Sequence, residues 1–478
     1  MKATLSTLLI CVLGLSALAQ TITVGSTSLQ TWRGFEAVVQ AGQELNASTD
    51  AYEYPSSTFP NYEDALRSAM RNDVGINRLR LEVYLSDETT DAYTSDGHRT
   101  AINDNADPDV INVSGFGTQR IDRQMVDVVI PYRDYLAAQG ETLFINLCLV
   151  DFRNAGFQAE DTPAEYAEFV FFWVDYISDT YGITVDSIEA ILEPDTGQNS
   201  GEWTPAKIAN AVVAARSRLE ANGYAGIPWV LPSNTDGTTV EADYATMKST
   251  QATIATIADE ISYHRYTSPN NTQLASLRDD AEADGNCIAM LEWIGASIST
   301  LWDDIETGRG CAWEQFATAY PWSGQSDDGS QYFIVNRSTW AVTLGTRTQY
   351  LQAFSKYVRI GCVFKSVTNS NSNFRGLPCT NTNGAVVVPV RALTNGTVNV
   401  TGLPNGTYAR CVTIGNGTSA PSSFNSCDSN VVVTSPSDNV ALTFSGAGVG
   451  TVYDVNYLQT GLGVKRIRGG VRMRGVRL

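Results

Sequence analysis

TLFINLCLVDFRNAGFQAEDTPAEYAEFVFFWVDYISDTYGITVDSIEAILEPD, residues 142–195, decides the fold. It opens on a short apolar run, TLFINLCLV (142–150), with the pattern of a strand buried on both faces. Thr162-Pro163 is a helix start, a capping residue followed by proline at the first helical position. Apolar residues then recur at helical spacing to about 180, and a second run, SIEAILE (187–193), follows. Strand, helix, strand at this spacing is a parallel crossover unit.

Six similar runs flank it: WRGFEAVV (32–39), INRLRLEVY (76–84), PWVLPS (228–233), EISYHRY (260–266), CIAMLEW (287–293) and CAWEQFA (311–317). Helical patterns at 61–72, 119–138, 163–180, 205–222, 242–258, 271–284, about 298–306 and 346–358 alternate with them. Eight strands each followed by a helix predict an α/β fold, a (β/α)8 TIM barrel over 31–365. An open doubly wound sheet is the competitor, and no glycine-rich phosphate loop supports it.

After 366 the helical period disappears. AVVVPV, GTVNVTG, TYARCVTI, NVVVTS and NVALTFS read as strands separated by turns that carry Pro, Gly and Asn-Gly, a C-terminal β-sandwich. TITVGSTSLQ (21–30) also reads as a strand, placed to join that sandwich, which then comprises 21–30 plus 366–457. The stretch 458–478 carries six basic residues and no acidic one, and is expected to be a solvated, disordered tail.

Residues 1–19 read as a secretory signal peptide, with Lys2, an apolar run and Ala17-Leu18-Ala19. No later stretch approaches the ~20 apolar residues of a membrane span. The chain carries 51 acidic and 32 basic side chains, a net charge of −19, which argues against nucleic acid. Only two histidines occur and no cysteines show C-x-x-C spacing, so no metal and no organic cofactor is expected. Few charges (17%) and many aromatics (10%) suit a binder of neutral polar ligands. Beyond the leader seven cysteines remain; Cys148 in its buried strand is the expected free thiol, and Cys411 and Cys427 are a plausible disulfide. Eight Asn-x-Ser/Thr sequons join the leader in favouring a secreted, extracellular glycoprotein, expected to be a monomer.

Catalytic groups of such barrels sit at the C-terminal ends of strands. Glu36, Glu193, Glu292 and Glu314 stand at or near predicted strand ends. Glu193 and Glu292 end the fourth and seventh strands, which face each other across the mouth. Two carboxyls about 5–5.5 Å apart, one kept protonated and one ionised, are what retaining glycoside hydrolysis needs. Arg80 could keep one of them anionic, and a Tyr266 hydroxyl could orient Glu292 and lower its pKa. His264 ends the sixth strand beside Tyr266. Sugar rings stack on aromatic faces, so Trp293 and above all Trp313, the expected floor of the cleavage subsite, are candidate substrate contacts.

These placements resemble the clan A retaining glycoside hydrolases, most of all the group around families 30 and 39. LQTWRGFEA (29–37) resembles the first strand leading into the family's Gln-x-x-x-Gly-Phe-Gly motif. HRY (264–266) is similar to the clan's His-x-Tyr on strand six, and FSKYVRIGCVFKSV (354–367) to the last helix and its return into a β-sandwich. The resemblance implies Glu193 as acid/base and Glu292 as nucleophile, supported by Arg80 and Tyr266. Two positions depart from the pattern. Leu192 stands where the clan has an Asn that contacts the sugar 2-hydroxyl, leaving Asn146 and Asn234 as candidates for that contact. Glu36 stands where the motif ends in glycine.

The leading expectation is a secreted retaining endo-glycanase acting on a β-linked polysaccharide or oligosaccharide. The alternatives are a non-catalytic carbohydrate-binding barrel and an exo-β-glycosidase.

Overall fold

The computed structural model describes residues 20–41, 44–46, 51–53, 57–85, 99–101, 103–196, 203–319 and 326–458. The expected leader at 1–19 and the basic stretch from 459 onward lie outside them. Eight parallel strands close into a barrel in chain order: Gly34–Val38, Ile76–Tyr84, Phe144–Val150, Ser187–Glu189, Trp229–Asp236, Ala258–Thr267, Cys287–Met290 and Ala312–Ala317. Each falls inside or overlaps one of the eight apolar runs. No described helix is long and apolar enough to cross a membrane.

The helices lie where the apolar period puts them. Pro163–Tyr181 begins at Pro163, although Thr162 turns its hydroxyl to Gln158 O (3.1 Å) and does not cap. Pro205–Ala221 is capped by Thr204, and Asn271–Ala283 by a reciprocal Asn270/Gln273 box. The expected helix at 242–258 is shorter. It runs Val240–Thr250, and the Ser249 and Thr250 hydroxyls both bond Thr246 O near its end. Such side chains compete with the backbone ladder, and a short turn, Ile254–Ile257, leads into the sixth strand.

The second sheet holds ten strands. Its first, Gln20–Thr31, runs antiparallel to Val363–Asn369 (Ile22 opposite Asn369) and parallel to Gly396–Thr401 (Ile22 opposite Val400). The N-terminal strand therefore joins the C-terminal sheet, as expected. The sheet folds over itself: Phe374, opposite mid-sheet Ala392, and Phe444 on the last strand of the path share one core, with ring centroids 6.0 Å apart. This core is Ile22, Phe374, Val388, Val390, Val398, Val400, Leu442 and Phe444, with further aliphatic neighbours. Tyr357 of the barrel's last helical turn stacks on Tyr453 at 4.4 Å, joining the two parts. Disulfides link Cys287–Cys311, Cys362–Cys379 and Cys411–Cys427, and Cys148 is free and buried.

Candidate active site

Alternation along the strands sends every second side chain into the barrel. In Ile76–Tyr84 the inward set is Arg78, Arg80, Glu82 and Tyr84. Interiors of such barrels are ordinarily filled by branched aliphatics; this one is filled by charge. Arg78, at the base, donates to Glu36 (2.8 Å) and to both oxygens of Glu260 (2.7 and 2.9 Å). Above it Asn146 donates to Glu189 (2.9 Å) and Glu36 (3.3 Å), and accepts from Ser187 (2.8 Å). Arg80 comes next, fully buried, 3.3 Å from both Glu314 and Glu82, 3.0 Å from Leu291 O and 2.5 Å from Glu292.

Glu292 follows the seventh strand. Its other oxygen accepts from the Tyr266 hydroxyl at 2.6 Å. Burial alone would lift its pKa, but the Arg80 and His264 charges and the donated bonds outweigh that and hold the carboxyl below the usual range. Glu193 faces it from the fourth strand. Beyond Glu189 the ladder continues irregularly, with Leu192 N bonded to Leu149 O (2.8 Å) and Glu193 N to Ser233 O (3.1 Å). Glu193 itself is left-handed (φ 50°), a conformation costing about 1–3 kcal/mol for a residue with a side chain. Asp195 holds it in place by accepting from the amides of Thr235 (2.7 Å) and Asp236 (2.9 Å).

The Glu193 carboxylate meets His264 Nδ1 at 2.9 Å. Burial raises the Glu193 pKa; the His264 bond offsets part of this and the Glu292 charge adds to it. Burial would lower that of His264, but the Glu292 charge and the Glu193 bond raise it. Both directions raise the affinity of the Glu193–His264 pair for a proton, while the shift at Glu292, their partner across the cleft, lowers its own. One carboxylate oxygen of each glutamate and one His264 nitrogen lie within 4.8 Å of one another. Three such donors could in principle hold a cation, but the Arg80 guanidinium 2.5 Å from Glu292 opposes one.

A cavity of about 470 Å³ opens over the pair, lined by Glu193, Glu292 and Tyr266 with Tyr84, Leu192 and Phe316 among its walls. Glu193 and Glu292 keep 8% and 5% of their surface exposed, and Tyr266 43%. The sequence had not pointed to Gln40, Glu82, Tyr84, Phe152, Thr196, Thr235 or Phe316, all of which line it.

Four expected substrate contacts lie away from the cleft wall. Trp313 is not the floor of the cleft: it is fully buried on the outer face of the eighth strand, against Phe35, with its indole N–H on Asp304 (3.0 Å). Asp304 also takes the Tyr263 hydroxyl (2.5 Å) and the Arg265 guanidinium (2.7 Å), tying the sixth and eighth strands from outside. Asn146 lies in the column below the cleft. Asn234 points away, donating to Thr239 (2.9 Å) and Asp243 (2.6 Å). Trp293 is not a wall of the cleft either; it packs edge-on behind Tyr266, centroids 5.7 Å apart.

A closed parallel barrel with two opposed carboxylates at its mouth and a sheet domain bearing the N-terminal strand is a recurrent enzyme architecture. No protein-family model matches the chain, and no curated protein matches it by sequence. Solved structures do. The catalytic domain of GH30 xylanase C from Talaromyces cellulolyticus superposes with a TM-score of 0.65 at 16% identity, over 91% of this chain and 99% of that one. An endo-beta1,6-glucanase gives 0.60 at 12%, over 91% and 94%. The GH39 enzyme from Xanthomonas axonopodis pv. citri gives 0.52 at 12%, over 91% and 98%. At such identities the likeness carries the fold: this chain has the barrel-plus-sheet fold of clan A glycoside hydrolases.

Proposed function

We propose that the chain is a secreted retaining glycoside hydrolase, endo-acting on a β-linked polysaccharide. The observation that carries this is the carboxylate pair: within 4.8 Å of each other, on opposite sides of one open cleft, with pKa values displaced in opposite directions. Retaining glycosidases hold their carboxyls about 5–5.5 Å apart, inverting ones about 6.5–9.5 Å, to admit a water. Glu193, sharing its proton with His264, protonates the leaving oxygen. Glu292, kept ionised by Arg80 and oriented by Tyr266, attacks the anomeric carbon. Glu193 then takes a proton from water, which displaces the sugar from Glu292.

Endo action on a polymer draws support from the names of two structural neighbours, a xylanase and an endo-beta1,6-glucanase, and from the open cleft. Secretion draws support from the leader pattern, the sequons and three disulfides. With Leu192 on the cleft wall and Asn146 and Asn234 turned elsewhere, the sugar's 2-hydroxyl is met by other groups.

The test is chemical rescue. Glu193→Ala should lose activity on polysaccharide, keep it on aryl glycosides with good leaving groups, and regain it with azide as a β-glycosyl azide. Absence of rescue, or the inverted azide, sinks the acid/base assignment. A wild type as inert as Glu292→Gln across a broad glycan panel sinks the enzyme.

A further inference from the structure

Outside the barrel a second set of carboxylates is packed together. Glu165 and Glu168 stand three apart on the helix Pro163–Tyr181, hence on one face. Asp104 reaches them from the segment that precedes the helix Gln119–Arg123. One oxygen from each lies within 4.8 Å of the other two. Glu168 has no exposed surface, and neither of its oxygens has a hydrogen-bond partner. Glu165 Oε2 and Asp104 Oδ1 are buried and unpartnered as well.

Three crowded carboxylates, two of them buried, are costly to ionise together without a counter-charge, several kcal/mol per desolvated ion. The crowding shows in Glu168, whose pKa is pushed up to about 8 by burial first, then by Asp104 and Glu165. Arg218 lowers that value somewhat, but its guanidinium is engaged by Pro108 O and lies 5.4 Å from the centre of the Phe171 ring. Among the described residues no basic side chain forms an ion pair with any of the three.

We propose that Asp104, Glu165 and Glu168 form a calcium site that fastens the segment around Asp104 to the helix Pro163–Tyr181. The donor set is all oxygen, which favours a hard cation over zinc. Calcium takes oxygens at about 2.3–2.6 Å, so no two ligands of one ion stand more than roughly 5.2 Å apart, a limit that the three donors, all within 4.8 Å of one another, already meet. Magnesium usually keeps several of its waters and is seldom held by an all-protein set, so it suits this cluster less. The unpartnered oxygens of Glu168 are the ones such an ion would satisfy.

The experiment is calorimetry and thermal unfolding of the full chain, stripped with chelator and titrated with calcium chloride. One ion should bind per chain, and calcium at about 100 times its Kd should raise Tm by ~3 °C. Glu168→Gln and Asp104→Asn should each weaken calcium binding by about tenfold or more. Glu168→Gln should also unfold no lower than the stripped wild type, because it relieves repulsion, which separates ligand loss from misfolding. No heat and no Tm shift at roughly 10 mM calcium, ten times the weakest Kd of extracellular sites, overturns the proposal. So does a response that persists undiminished in both variants.

Discussion

The barrel interior and the sheet core are both fully buried, and they are built in opposite ways. The sheet core is Val388, Val390, Val398, Val400, Leu442 and Phe444, apolar contacts with no polar partner to satisfy. The barrel interior stacks Glu36, Glu82, Glu189, Glu193, Glu260, Glu292 and Glu314 around Arg78 and Arg80. Not all seven carboxylates can be ionised there: burial pushes Glu189 and Glu314 up, while Arg78 and Arg33 together hold Glu260 down against it. The difference teaches where stability and chemistry are separated. The sheet core and the layer between strands and helices supply the apolar burial, and the barrel axis is left free to set proton affinities.

The sharpest break in that comparison is Glu292→Ala, which should lower kcat/KM by about 10⁴-fold or more while the thermal unfolding curve stays cooperative. A variant with over half of wild-type activity excludes Glu292 as nucleophile. Next is Arg80→Met, which strands Glu292, Glu314 and Glu82 without their counter-charge. It should cost about 3–5 kcal/mol in a denaturant titration, as well as activity. Leu442→Ala, in the other core, should cost about 2–5 kcal/mol with kcat per folded molecule unchanged, so that stability moves alone.

Tyr266→Phe is smaller, about 10–100-fold in kcat/KM, for one bond to a charged group. It should move the acid limb of the pH profile to higher pH. The sign follows from the shifts. Glu292 is depressed, so its active, stabilising form is lost as pH falls through its folded pKa, below the usual carboxylate range. Glu193 is raised, so its proton, and the alkaline limb, is lost as pH rises through a folded pKa above that range. Loss of the Tyr266 bond weakens the depression of Glu292. The smallest effect should come from Trp313→Phe, which loosens the strut on Asp304 and leaves KM unchanged, whereas a large rise in KM returns Trp313 to the cleft.

The eight strands were legible because each is a compact apolar run between amphipathic helices, and the meeting of Glu193 and Glu292 at one cleft because each carboxylate ends such a run on opposed strands. Trp313 was misread although the signal was there. Glu314 faces Arg80, so by strand alternation Trp313 faces outward and Phe316, two residues after Glu314, faces the cleft. The same step of two from Arg80 finds Glu82 and Tyr84. Asn146 was on the correct face at the wrong depth. Depth follows from register, which sets Asn146 opposite Arg80 and Ser187, and pairing across separate strands leaves no mark in the local pattern. Asn234 sits where the fifth strand turns into its helix, and only the fold tells which way that turn faces.

The first strand of the sheet has a consequence for biosynthesis. Thr21 bonds Ser370, 349 positions further along. A ribosome adding about 5–20 residues per second completes its partners roughly 20–70 s after the strand itself appears. The barrel between them can form during translation, but the nascent chain carries an unpaired edge for that whole interval. The seam between 20–31 and 363–401 therefore closes only after all eight barrel strands have been made.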